Sequence, residues 1–83
     1  MAVGMTPGEA VGALRRGVPI QQVVASGSWV GIEAVGEIFE IRLYAESTPD
    51  GVVLAESADA VEALVSAERL GGASRTGWSA VEV

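Results

Sequence analysis

The chain has 83 residues, 49% of them apolar, and carries a net charge of −6. That is enough for one small domain, too apolar for a disordered chain and too acidic for autonomous nucleic-acid binding through phosphate neutralisation. It contains no Cys, His or Lys, which excludes disulfides, thiolate or imidazole metal ligands and the usual activators of a nucleophile.

The predicted elements begin with a helix over residues 6–17. Thr6 caps it, Pro7 suits its first turn, and Glu9 completes a T-x-x-E capping box. Val11, Leu14 and Val18 make one apolar stripe. Arg15 and Arg16 complement the helix dipole, and Gly17 stops the helix. After Pro19, the spacing of Ile20, Val23 and Val24 predicts a second short helix, ended by Ser26-Gly27-Ser28. Residues 6–26 therefore read as helix, tight turn, short helix.

From Trp29 the apolar period falls to two. Residues 29–35 predict a strand, Gly36-Glu37 a two-residue hairpin turn, and 38–46 a longer strand. In that strand Phe39, Ile41, Leu43 and Ala45 share one face, while Glu40, Arg42, Tyr44 and Glu46 share the other. Thr48-Pro49-Asp50-Gly51 predicts a turn, and 52–56 a third, antiparallel strand.

Ser57 or Asp59 then caps another helix, with Asp59-x-x-Glu62 as a box-like start. Its expected buried face is Ala60, Val61, Leu64, Val65 and Ala67, and Gly71-Gly72 ends it. Residues 73–77 read as a linker. Residues 78–83 read as a last short strand or arm with Val81 and Val83 on one side. Trp29-Val30-Gly31-Ile32-Glu33 and Trp78-Ser79-Ala80-Val81-Glu82 share one pattern, W-x-small-β-branched-E. It reads either as coincidence or as two similar edge strands that pair, within one chain or between copies. The expected fold is α+β: a small antiparallel sheet of three to four strands packed by one main helix, preceded by an N-terminal helix–turn–short helix. Residues 1–83 form one domain, with 1–5 an optional tail.

Most apolar residues are Ala and Val, and aromatics are only 5%. Small side chains bury little area each, so the core is expected to be weak and aided by a partner or by self-association. All five cations are Arg, which together with the Ala, Gly and Val content points to a GC-rich genome, an actinobacterium or one of its phages. No basic-then-apolar leader opens the chain, and no window is apolar enough to span a membrane. Cytoplasmic residence is expected, with a virion as the alternative.

Catalytic chemistry finds little support. The serines lack a His, Lys or Cys to activate them and read as caps and loop residues. The nine Glu and two Asp read as a solvated acidic face rather than a paired-carboxylate site. Asp50-Gly51 lacks calcium-loop spacing, and the Gly-rich segment 71–77 lacks a P-loop Lys. No enzyme, cofactor or metal is expected, and no small-molecule substrate is evident. Pro49-Asp50-Gly51-Val52-Val53-Leu54 followed by a helix resembles, over residues 42–66, half of a short actinobacterial domain of unknown function. That domain is often encoded beside helix–turn–helix regulators, but its Trp- and Ser-rich opening and its Cys-Val-Glu segment are absent here.

What remains is interaction. Trp29, Tyr44, Trp78, Val81 and Val83 are the candidate contact residues, as Trp anchors and strand edges open to β-augmentation. The expected function is a small non-enzymatic adaptor or regulatory protein that binds a protein partner or a second copy. The alternative is a structural subunit of a phage particle, capsid or tail, with 73–83 as its arm.

Overall fold

The computed structural model describes residues 5–25, 27–71 and 77–81. Helix α1 spans Pro7–Arg15. The capping box forms as the sequence implies: the Glu9 N–H donates to Thr6 Oγ1 at 3.2 Å, and the Thr6 N–H donates to Glu9 Oε1 at 2.9 Å. Ala10, Val11, Ala13 and Leu14 form the buried face of α1.

The segment after Pro19 is not a helix. Strand β1 runs Ile20–Ala25 and is paired on both sides. Ile20 and Gln22 point into the core, while Val23 points out and is 43% exposed. The true period is therefore two, and the polar side chain on the buried face disguises it. The β-branched content of the segment suits a strand once neighbours are available on both edges.

Strands β2 (Ser28–Val35) and β3 (Ile38–Ala45) form the expected hairpin, with Val35 opposite Ile38. Gly36 holds φ +62° in the two-residue turn, a conformation that glycine adopts without steric cost. Strand β4 runs Thr48–Ser57. Here the turn moves from its expected place: Ala45 pairs with Thr48, so Glu46 and Ser47 make the connection. Pro49, Asp50 and Gly51 instead bulge from β4 opposite Tyr44, between the Ala45–Thr48 and Leu43–Val52 pairs. A second irregularity skips Leu54 between the Arg42–Val53 and Ile41–Ala55 pairs.

Helix α2 spans Ala60–Gly71, and Asp59 caps it by accepting the Glu62 N–H at 2.9 Å. Its buried residues are Ala60, Ala63, Leu64 and Ala67, on the i, i+3, i+4, i+7 stripe. Val61 and Val65, expected inside, are 46% and 47% exposed; they flank a shallow groove shared with Val11 of α1. Strand β5 is Ser79–Ala80, paired antiparallel with Ile20 and Gln21 of β1. Just beyond it, Met5 donates its N–H to the Trp78 carbonyl at 2.6 Å.

Among the described residues the sheet has five antiparallel strands in the order β4-β3-β2-β1-β5. The α+β class, the N-terminal helix and the main helix are as expected, whereas three to four strands become five among the described residues and the expected short second helix is strand β1. α1 packs on β1, β2 and β5, α2 packs on β2, β3 and β4, and the helices touch each other. Both cover the same face, where Ile20, Val30, Ile32 and Ile41 are buried with Leu14, Leu64 and Trp78. The other face has no layer over it among the described residues. None of the described helices is long and apolar enough to cross a membrane.

Candidate functional site on the open sheet face

Strand alternation decides which side chains reach the uncovered face. β1 contributes Gln21 and Val23, β2 contributes Trp29, Gly31, Glu33 and Val35, and β3 contributes Glu40, Arg42 and Tyr44. Trp29 and Tyr44 are directly opposite in the register and stack, with ring centroids 5.7 Å apart and planes 12° from parallel. Both are only partly buried.

Two glycines make room for the Tyr44 ring. A Cβ on Gly51 would come within 2.7 Å of Tyr44 Cε1, and one on Gly31 within 3.1 Å of Tyr44 Cε2. Gly51 also holds φ +79° in the β4 bulge. Gly31 has no such backbone requirement. It lies in the middle of the central strand, where glycine weakens a sheet and marks a close approach. Beside it the surface sinks into a hollow of about 330 Å³. Trp29 and Tyr44 wall it on one side and Pro19, Gln21 and Val81 on the other, with Glu33 and Pro49 also lining it.

The charges on this face are unbalanced. Glu33 lies directly opposite Glu40, and Glu40 directly opposite Glu56, so three carboxylates cross β2, β3 and β4 in one row. Like charges in direct register destabilise a sheet. The one cation among these strands, Arg42, is engaged: its Nε donates to Glu40 Oε1 at 2.5 Å and its Nη1 to the Asp50 carbonyl at 3.0 Å. The bond to Glu40 raises the Arg42 pKa further above its ordinary value. Burial first, and then the negative charge of Glu33, push the Tyr44 phenol above its usual range, so it stays a neutral donor at physiological pH.

The sequence candidates separate on this geometry. Trp29, Tyr44 and Val81 come together around the hollow. Trp78 lies on the opposite, helix-covered side and is 3% exposed, so it is a core residue. Val83 lies outside the described residues. The shared Trp pattern of β2 and residues 78–82 does not mark paired strands, since β5 pairs with β1. Sequence reasoning missed Gly31, Gly51 and Glu33; the one signal was a glycine inside the otherwise β-rich stretch 29–35. Among the described residues no three acidic side chains converge as metal ligands. No protein-family model matches the chain, and neither a curated protein nor a solved structure matches it.

Proposed function

We propose that this chain is a non-enzymatic protein–protein interaction module, of the adaptor or regulatory kind, that docks its partner on the open sheet face. The observation that carries this reading is the stacked Trp29–Tyr44 pair, partly exposed beside a hollow that Gly31 helps to line. Aromatic anchors next to a pocket are the usual energetic centre of a protein interface. Around them Val23, Val35 and Val53 remain more than two-fifths exposed, extending the apolar area on both sides.

The face is favoured over the strand edges. β4 carries Pro49 and two bulges, which interrupt the ladder an added strand would need, and β5 covers the start of β1. The alternative of a particle subunit leaned on residues 73–83 as an extended arm. Ser79–Ala80 pairs within its own chain, which supports the adaptor reading.

A site-specific photo-crosslinker tests this. Placed at Val53 on the open face it is expected to give a discrete adduct in the source cells that disappears when Trp29→Ser is added. Placed at Val61 beside the helix groove it should not give that adduct. Adducts from Val61 alone, or adducts from Val53 indifferent to Trp29, would overturn the assignment.

A further inference from the structure

The proposed docking face also specifies the chemistry of what it docks. We infer that the hollow beside Gly31 receives an arginine side chain from a basic segment of the partner protein. This rests on reading the open face as a docking surface and adds the class of group that enters it.

Charge complementarity makes the case. Among the described residues Glu33 is the one charged side chain lining the hollow, and it begins the row of three carboxylates. Arg42, one strand away, gives its hydrogen bonds to Glu40 and to the Asp50 carbonyl and acts on Glu33 only through space, so the Glu33 carboxylate is left to take a directly bonded cation. A cation delivered to the hollow would relieve the repulsion across Glu33, Glu40 and Glu56 while lying against two aromatic rings. A guanidinium fits both demands. It stacks flat on aromatic faces and presents two parallel N–H donors to a carboxylate, whereas an ammonium is a compact, strongly hydrated point charge. The volume, about 330 Å³, is at the small end of ligand pockets and suits one long side chain rather than a cofactor. A second copy docked face to face would set the same carboxylates against each other, so a basic partner is favoured over self-association. Burial is the main cause of the raised Tyr44 phenol, and the charge of Glu33 adds to it at the rim.

The test uses the full chain, ¹⁵N-labelled, and three acetylated, amidated hexapeptides of identical Gly/Ser background. One carries two arginines, one two lysines and one two citrullines, citrulline being the uncharged isostere of arginine. The arginine peptide is expected to shift the Trp29 indole N–H and the Gly31 amide saturably, the lysine peptide more weakly, and the citrulline peptide not at all. Glu33→Gln should weaken the arginine peptide roughly five- to tenfold. Raising salt from about 25 to about 300 mM should weaken it in the unsubstituted chain more than in the variant. Tyr44→Phe, which keeps the ring, should retain binding, and the dispersion of each spectrum reports that the variant is folded.

Equal shifts from the arginine and citrulline peptides would overturn the proposal, as would shifts confined to the α1–α2 groove. Concentration-dependent movement of the same signals without peptide would assign the hollow to a second copy instead. If the peptides fail while the Val53 adduct still depends on Trp29, the arginine assignment falls and the docking face stands. If both fail, both fall.

Discussion

Tyr44 sits between two glycines that nothing in the linear pattern relates, twenty positions apart and on different strands. Their roles differ. Gly51 is held at positive φ and would also drive a methyl group into the Tyr44 ring, while Gly31 lacks only space. Gly51→Ala should therefore cost about 2–4 kcal/mol, combining left-handed strain with overpacking. In a Tyr44→Ala background the same substitution should cost only the backbone part, about 1–2 kcal/mol. Urea denaturation of the four proteins of that double-mutant cycle measures the difference, and equal costs in both backgrounds would show that the ring contact is irrelevant. At this scale little of the candidate site was legible. The pairing of Trp29 with Tyr44 depends on strand register, which hydrophobic patterning constrains only to within a face. Arg42 and Glu40, by contrast, were read correctly as sharing a side of β3.

Elements with strong local chemistry matched their sequence signals. The capping box of α1, the Gly36 turn and the Asp59 cap of α2 each depend on residues within a few positions of one another. β1 did not match, because its status as a strand depends on partners that arrive from β2 and β5, far along the chain. Gln22 is the residue that misleads. Its side chain is 1% exposed and neither Nε2 nor Oε1 makes a hydrogen bond. A buried amide without partners is destabilising, so Gln22→Met, of similar length and without the polar atoms, should stabilise the fold by about 1–2 kcal/mol. A shift of the urea midpoint to higher concentration with unchanged slope is the expected result; a loss of stability would mean that the amide is satisfied in solution. The β3–β4 connection was displaced for a related reason. Thr48-Pro49-Asp50-Gly51 carries genuine turn chemistry, but the sheet uses it as a bulge that Arg42 ties down through the Asp50 carbonyl.

For the molecule as a whole, one layer of helix on one face of a sheet leaves a thin core. A chain of this length has roughly 4–12 kcal/mol of stability to lose, and much of its buried apolar set is alanine: Ala10, Ala13, Ala60, Ala63 and Ala67. Trp78 is the largest side chain in that set. Trp78→Ala should cost about 3–5 kcal/mol, a large share of that reserve and all of it at the lower end. Trp29→Ala, on the open face, should cost under about 2 kcal/mol. Circular dichroism melts compare the two, and similar melting temperatures would contradict the division into a core tryptophan and a surface one. The α+β class and the order of most elements could be read from the sequence. That both helices share one side, and so bare the other, could not, because it follows from which strand lies beside which.

The position of β5 has a consequence for how the chain acquires its structure during synthesis. β2, β3 and β4 are joined by short turns and meet their neighbours as soon as each leaves the ribosome. β1 is made before all of them, yet its outer neighbour β5 is made after α2, later than the other described elements. Until then the seat of Trp78 is vacant and the outer rim of β1 has no neighbouring strand. During that interval the nascent chain presents a sticky seam to any chaperone or to a neighbouring nascent copy, and arrival of β5 closes it.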